Sequence, residues 1–265
     1  MVHILSGWSN GGGSTEAFIN LTNSLNKHGI KTTFYGPHPF PKNKCNFEIH
    51  DNYRMRLNPK DSIIVHFLHL PRRLNCKKFI LSCHEQNIFE LKNINCEIFD
   101  KIHFVSDHQR KYHSVKHPYF ILPNIIDPRL KPSDSKPDEP TAGIIGSIDR
   151  NKNIHVSIQR ALDDGFKKIR IFGVITDKRY YEKSVKSLID KHGDLIEYNG
   201  YIEDKQLVYD SVTDVYHSST LETWGYIKGE CKRTNTVFHG NDSTDGYWEM
   251  DEKEIVNKWA EELDA

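Results

Sequence analysis

Short apolar runs alternate with amphipathic stretches along most of this chain. Residues 2–6 form a short apolar run, residues 17–25 place apolar side chains at helical spacing, and residues 31–35 are the next predicted strand. A short apolar run predicts a buried strand, and apolar positions three and four apart predict a helix. The start of the chain therefore predicts a βαβ unit.

The same alternation continues to the end of the chain. Further strands are predicted at 62–68, 78–82, 101–105, 142–148, 168–172, 195–198, 215–217 and 236–239, and further helices at 154–162, 181–189, 203–209, 225–232 and 251–263. A segment rich in proline and charge at 130–141 interrupts the rhythm, as an interdomain linker does. We predict an α/β fold with Rossmann-like domains at 1–129 and 142–265 that face each other across a cleft.

Composition narrows the class of protein. The 265 residues include 36 Lys+Arg and 36 Asp+Glu, and a balanced charge argues against a dedicated nucleic-acid-binding protein, so no stable nucleic-acid binding is expected. Five scattered cysteines without a CxxC pair are typical of reduced thiols. No stretch approaches the roughly 18 apolar residues of a membrane span. We expect a cytoplasmic protein, with peripheral membrane contact and oligomeric state left open.

The most informative stretch is 221–230, which follows the strand predicted at 215–217. Glu222 and Glu230 lie on either side of Gly225, with seven residues between the two carboxylates. A strand-to-helix turn can direct both acids toward one ligand, and the free N–H groups of the helix start favour an anion. Carboxylates accept hydrogen bonds from sugar and ribose hydroxyls. Surface glutamates on a solvated helix are the alternative interpretation.

Two other turns have the chemistry of phosphate sites. Arg150 and Lys152 lie on the predicted strand-to-helix turn 146–153, where two cations and a helix dipole can hold a diphosphate. Gly12 and Gly13 lie on a glycine-rich turn that lets the backbone approach a phosphate. A nicotinamide-binding fingerprint fits poorly here, because its third small residue falls at Glu16.

His84 follows the strand predicted at 78–82. Ligands of open α/β sheets bind at the carboxyl ends of strands, so this histidine is a candidate ligand contact. A loop histidine without a role is equally compatible with the sequence, since the chain has 15 histidines.

The order of these pieces resembles the retaining, family-4 type of GT-B glycosyltransferases. Similar segments lie at 12–16, 105–106, 123–127, 146–153, 198–209 and 218–230. The Glu-x7-Glu signature at 222–230 is the specific match. Ser147 stands where the family has an arginine of the diphosphate clamp, and Arg150 is the expected substitute.

The resemblance implies transfer of a hexosyl unit from a nucleoside diphosphate sugar, with UDP or GDP as the expected nucleotide, to a hydroxyl of a glycan, lipid or small molecule. The anomeric configuration would be retained, without a metal or other cofactor. Glu222, Lys152 and His84 would be catalytic, and helix 251–263 would pack back on the N-terminal domain. The implied donor-binding residues are Glu230, Arg150, Gly12, Gly13, Ser147, Gly173, Tyr201, Ile202, Thr223, Trp224 and Gly225.

Three alternatives stay open at this point. A sugar-nucleotide epimerase or hydrolase can have the same architecture. The serine at position 147 is compatible with a nucleotide-sugar-binding protein that has no turnover. A nucleic-acid-modifying glycosyltransferase is disfavoured by the neutral net charge.

Overall fold

The computed structural model describes residues 1–49, 57–85, 91, 94–113 and 115–265. The chain forms two compact units, one made of residues 1–126 and 248–265 and the other of residues 127–247. Each unit is built around its own parallel sheet.

The first unit has a sheet with the strand order β3-β2-β1-β4-β5-β6-β7, and the second has the order β10-β9-β8-β11-β12. The strands are β1 Val2–Ser6, β2 Thr32–Gly36, β3 Phe47–Ile49, β4 Ser62–His66, β5 Lys78–Cys83, β6 Lys101–Phe104, β7 Tyr119–Ile121, β8 Ala142–Ile145, β9 Ile169–Phe172, β10 Ile196–Gly200, β11 Asp214–Tyr216 and β12 Val237–His239. All pairings between these strands are parallel.

Among the described residues, seven helices lie in connections between these strands, and an eighth follows β12. They are α1 Gly13–Lys27, α2 Asp107–Tyr112, α3 Ile154–Asp163, α4 Lys178–Tyr180, α5 Lys186–His192, α6 Lys205–Asp210, α7 Tyr226–Arg233 and α8 Glu252–Leu263. A π-helical turn, Tyr181–Val185, joins α4 to α5, and short 3₁₀ turns lie at Phe40–Asn43, Cys96–Ile98, Gly193–Leu195 and Asp242–Thr244. The α/β fold predicted from the hydrophobic pattern is confirmed.

Helix α8 contributes its apolar face to the core of the first unit. Ile255, Trp259 and Leu263 are buried beside residues of β1 and α1. The main chain of this helix end is also held, because Ser62 Oγ donates to the carbonyl of Leu263 at 2.7 Å. The last helix of the sequence is therefore part of the first sheet's hydrophobic core.

The segment 130–141 packs on the second unit. Leu130 is buried, and the ammonium of Lys136 donates to the carbonyls of Tyr209 and Val212 at 2.7 and 3.0 Å and to Thr236 Oγ1 at 2.6 Å. Burial lowers the pKa of Lys136. The three hydrogen bonds of this ammonium hold the proline-rich segment in place, although the segment is not part of either β-sheet.

The strand orders identify one ligand-binding position in each sheet. In the first sheet the order reverses at β1, which lies between β2 and β4, and in the second it reverses at β8, which lies between β9 and β11. Connections leave such a reversal point toward opposite faces, so a crevice opens at the carboxyl ends of these strands. Candidate ligand-binding residues are therefore expected in the turns after β1, β4 and β5 of the first sheet, and in the turns after β8 and β11 of the second.

Candidate functional site

The turns after β8 and β11 bring a lysine, a glutamate and a histidine together. Lys152 Nζ lies 2.5 Å from Glu222 Oε1, and His217 Nε2 lies 3.0 Å from the same oxygen. The exposed fractions of the side chains are 22% for Lys152, 15% for Glu222 and 4% for His217. Within the described part of the chain, Glu222 Oε2 has no hydrogen bond, so this oxygen can accept one from a ligand hydroxyl.

The charges around Glu222 keep it ionised. Burial alone would raise its pKa, but the ammonium of Lys152 and the hydrogen bond and charge of His217 outweigh burial and lower the pKa to about 2. The group is therefore a carboxylate at neutral pH, and it acts as an acceptor with one free oxygen.

Glu222 is expected to make the stability of the protein depend on acidity. The folded-state pKa lies below the ordinary value of 4.5, so its contribution is present above pH 4.5 and is lost as the pH falls toward 2. The difference in urea midpoint between wild type and Glu222→Gln should therefore shrink across this window. The exposed carboxylate of Glu197, paired with Arg170, provides the control variant Glu197→Gln. A difference between Glu222→Gln and wild type that stays constant from pH 6 to pH 3 would contradict the assignment.

Asn151 joins the turn after β8 to the turn after β11. Its carbonyl accepts from the N–H of Thr220 at 2.8 Å, and its Oδ1 accepts from the Thr220 hydroxyl at 2.7 Å. The backbone N–H of Lys152 donates to Asp149 Oδ1 at 3.0 Å, which fixes the start of helix α3. These bonds hold the main chain that carries Lys152 against the main chain that carries Glu222.

A close approach of two main chains shapes the same end of the sheet. Gly173, after β9, has a φ of +148°, and a Cβ there would lie 1.8 Å from the carbonyl oxygen of Gly146. Only glycine fits such an approach. The carbonyl of Gly173 in turn accepts from the Tyr198 hydroxyl at 2.9 Å.

The second glutamate lies in the first turns of helix α7. Glu230 is buried, and its two oxygens have separate partners: Lys205 Nζ donates to Oε1 at 2.7 Å and the Tyr209 hydroxyl donates to Oε2 at 2.6 Å. Burial first, and then the charge of Glu230, raise the pKa of Tyr209 well above its ordinary value, so this hydroxyl keeps its proton. Each carboxylate oxygen can accept a second hydrogen bond, which leaves capacity for a ligand diol.

The start of helix α7 is fixed by aromatic packing. Gly225 has a φ of +92°, which favours glycine, and it precedes the first helical residue, Tyr226. Trp224 is buried, with its ring centroid 5.1 Å from those of Tyr226 and Tyr247. Thr223 lies partly buried between Glu222 and this tryptophan. Packing thus sets the direction in which the helix N-terminus points.

Two residues predicted for the diphosphate clamp have partners outside the Lys152–Glu222 pair. The Ser147 hydroxyl donates to Asp149 Oδ2 at 2.5 Å. Arg150 is 70% exposed, and its Nε donates to Asp177 Oδ2 at 3.2 Å. The sequence spacing places Arg150 near Lys152, but this structure pairs it with Asp177.

Three of the implied donor-binding residues, Gly173, Tyr201 and Ile202, lie after the ends of β9 and β10. Tyr201 follows β10 and is 54% exposed, and Ile202 beside it is partly buried. An exposed aromatic ring at the carboxyl end of a parallel strand is suited to stacking on a planar base.

The first unit carries the remaining predicted residues. Gly12 has a φ of +94° and precedes helix α1, which begins at Gly13, so the first N–H groups of this helix face an open turn. His84 follows β5 and is 9% exposed. It lines a small cavity with Phe18 and Trp259, among others.

Three polar residues of the second unit were not predicted from the sequence. His217 follows a buried strand directly, and a polar residue at a strand's carboxyl end is a signal that could have identified it. Lys205 and Tyr209 are four residues apart on helix α6 and therefore share the face that meets Glu230. That spacing was visible in the sequence, but the partner of the face was not.

Among the residues that the structure describes, no group of three or more histidine, cysteine, aspartate or glutamate side chains is arranged to hold a metal ion. None of the described helices is both long and apolar enough to cross a bilayer.

Comparison with known proteins finds solved structures that share this fold. No protein-family model matches the sequence, and no curated protein matches it. Solved structures do match. The Anabaena protein Alr3699/HepE, crystallised with UDP and glucose, has a TM-score of 0.72 and 12% identity, with 99% of this chain and 90% of that chain covered.

Two further structures show the same likeness. AviGT4, a glycosyltransferase involved in avilamycin A biosynthesis, has a TM-score of 0.65 and 14% identity over 98% of this chain and 88% of that one. An α-glucosyltransferase solved with UDP and a 13-mer DNA has a TM-score of 0.65 and 14% identity over 100% and 89%. At these identities the likeness is one of fold, and the fold is that of the GT-B glycosyltransferases.

Proposed function

We propose that this protein is a metal-independent glycosyltransferase that moves a hexosyl unit from a nucleoside diphosphate sugar to a hydroxyl acceptor, with retention of the anomeric configuration. The observation that carries the proposal is the cluster of Lys152, Glu222 and His217 at the reversal point of the second sheet, in a GT-B fold. An ammonium and a carboxylate with a free oxygen, at the end of a parallel sheet, provide charge for a diphosphate and an acceptor for a sugar hydroxyl.

Each residue of the cluster has a distinct task in this proposal. Breaking the glycosidic bond to the nucleotide builds negative charge on the departing diphosphate, and the ammonium of Lys152 neutralises that charge. Glu222 Oε2 accepts a hydroxyl of the donor sugar. His217 holds Glu222 Oε1 while Lys152 transfers its bond to phosphate, so it is a positioning residue.

The nucleotide is assigned to the neighbouring residues of the second unit. Glu230 binds the ribose hydroxyls, and the Gly225 start of helix α7 contributes N–H groups to the phosphates. Gly173, Tyr201 and Ile202 contact the base. The remaining donor-binding residues in the proposal are Thr223, Trp224, Ser147 and Arg150 of the second unit, together with Gly12 and Gly13 of the first unit.

UDP is the first nucleotide to test and GDP the second. The Anabaena protein of the same fold was crystallised with UDP and glucose, which supports a UDP-hexose as donor. We further propose a donor-side second unit, an acceptor-side first unit and a cytoplasmic location. The free thiols of all five cysteines support the location.

Product stereochemistry tests the proposal. The protein would be incubated with an α-linked UDP-hexose and a set of hydroxyl acceptors, and the product's anomeric coupling would be read by proton NMR. An α-linked product supports a retaining transferase. A β-linked product would contradict retention of the anomeric configuration. Release of free hexose and UDP at a rate that does not depend on the acceptor would favour a hydrolase.

A nucleotide-sugar-binding protein without turnover is the second candidate. It is favoured by the pairing of Arg150 with Asp177, because Arg150 is then bound to a carboxylate and Lys152, beside Glu222, is left as the cation for the diphosphate. Tight binding of a UDP-hexose with neither transfer nor hydrolysis would favour this candidate.

A further inference from the structure

Three histidines of the first unit lie at the carboxyl ends of neighbouring strands β4, β5 and β6. The ring centroid of His84 lies 5.5 Å from that of His66 and 5.9 Å from that of His103. His66 is bonded at both nitrogens, with Nδ1 2.8 Å from Ser6 Oγ and Nε2 2.9 Å from a Glu85 carboxylate oxygen. Such a ring has no free nitrogen for a ligand.

The hydrogen bonds of His103 determine where its proton lies. Its Nε2 is 2.9 Å from the carbonyl oxygen of Leu122, and a carbonyl can only accept, so Nε2 carries the proton. Burial lowers the pKa of His103 to about 4, with the Leu122 bond opposing the shift, so the ring is neutral at pH 7. Its Nδ1 is therefore an acceptor, and Ser82 Oγ, at 2.8 Å, donates its proton to it.

The same accounting then determines the proton of His84. Ser82 Oγ has one proton, which His103 Nδ1 receives, so it can only accept from His84 Nε2 at 3.0 Å. The ring of His84 packs edge-on against Phe18, with centroids 4.8 Å apart. Burial first, and then the neighbouring His66 and His103, lower the pKa of His84 well below its ordinary value. The ring is neutral, with its proton on Nε2.

Within the described ranges, one ring nitrogen of His84 has no hydrogen-bond partner. Among the described residues, no hydrogen bond reaches its Nδ1, whereas both nitrogens of His66 and of His103 are bonded. An unprotonated ring nitrogen is an acceptor only, so it binds an O–H or N–H group and rejects a phosphate oxygen.

We propose that Ser82 and His103 are positioning residues that hold His84 as the Nε2–H tautomer, so that its Nδ1 accepts a hydrogen bond from a carbohydrate hydroxyl. The tautomer of His84 is inferred from the hydrogen bonds in this structure alone. The inference that the ligand is a carbohydrate hydroxyl rests on the function proposed above. The hydroxyl belongs either to the donor sugar or to the acceptor, and binding measurements separate the two sources.

The tautomer is tested by NMR of the full chain with ¹⁵N-labelled histidine at pH 7, with His84 assigned by its loss in His84→Gln. We expect a protonated-type signal at Nε2 and an unprotonated-type signal at Nδ1. The reverse pattern, or two protonated nitrogens, would overturn the proposal. This NMR measurement of the tautomer requires only the folded wild-type protein and no bound ligand.

The positioning role is tested with Ser82→Ala and the matched variant Ser62→Ala. Ser62 is also a buried hydroxyl, on the adjacent strand, and it donates to the carbonyl of Leu263 rather than to a histidine. Ser82→Ala should give averaged signals for the two nitrogens of His84, and Ser62→Ala should leave the wild-type pattern. A wild-type pattern in Ser82→Ala would show that the serine does not set the tautomer.

The hydroxyl ligand is tested by titrating His84→Gln with UDP-glucose and with UDP. The Kd for UDP-glucose should rise about threefold to tenfold, the usual effect of one hydrogen bond, while the Kd for UDP stays within about twofold. An unchanged Kd for UDP-glucose with a raised acceptor KM assigns the hydroxyl to the acceptor. No change in either quantity would overturn the hydroxyl contact, whereas failure of wild type to bind UDP-glucose would count against the donor and leave the tautomer standing.

Discussion

Replacing Lys152 by alanine is expected to lower the rate of glycosyl transfer at saturating donor by about 100-fold to 1,000-fold, the usual cost of removing one preorganised group that stabilises transition-state charge. The ammonium lies 2.5 Å from Glu222 and is fixed through its backbone N–H, so its position is set before a donor binds. The charge on the diphosphate grows as the bond breaks, so the rate should fall much more than donor affinity.

Lys186→Ala is the matched control for this substitution. Lys186 also forms a pair with a carboxylate, Asp190, at 2.6 Å in the same unit, but the pair lies on the surface. Its loss should leave the transfer rate within about twofold of wild type, because exposed pairs contribute little. If Lys152→Ala instead lost donor affinity by a comparable factor and kept the wild-type rate at saturating donor, Lys152 would be assigned to donor binding.

Replacing Glu230 by glutamine is expected to weaken donor binding by about 10-fold to 100-fold, which is the range for hydrogen bonds to a charged group. Glutamine keeps the shape and one acceptor for the buried Tyr209 hydroxyl, but its amide repels Lys205 and loses the charge that attracts a ribose diol. The transfer rate at saturating donor should stay within about threefold of wild type, because ribose contacts form in the ground state.

Titration calorimetry with the donor and with its free nucleotide measures this effect. Both affinities should fall together, since the ribose is common to both ligands. Glu197→Gln removes a carboxylate that is paired with Arg170 on the surface of the same unit, and it should bind as wild type does. A Glu230→Gln variant with full affinity for both ligands would remove Glu230 from the nucleotide site.

The hydrophobic pattern was sufficient to predict the α/β fold because most of the strands are short apolar runs and because amphipathic helices follow β1, β8, β9, β10 and β11. The pairing of Lys152 with Glu222, 70 residues apart in the chain, follows from the adjacency of β8 and β11. Motif order assigned both residues to one donor site, but the sequence analysis did not predict their pairing, since strand order cannot be obtained from periodicity alone.

Side-chain partners were harder to predict than elements. Spacing placed Arg150 beside Lys152, but the competing carboxylate of Asp177 comes from a different strand connection, 27 residues later. The proton chain from His84 to His103 also joins side chains of two strand ends that sequence spacing does not relate. Tertiary contacts decide such bonds, and a single sequence contains no direct signal for them.

The most direct test of the central claim is a thermal-shift panel of UDP-, GDP-, ADP-, CMP- and dTDP-sugars on wild type, Glu230→Gln and Glu197→Gln. The proposed function predicts that sugars of one nucleotide stabilise wild type and Glu197→Gln to the same extent and stabilise Glu230→Gln much less, because its donor affinity is lower. Stabilisation of wild type by none of the donors, or equal stabilisation of all three proteins, would contradict a nucleotide-sugar site at Lys152, Glu222 and Glu230.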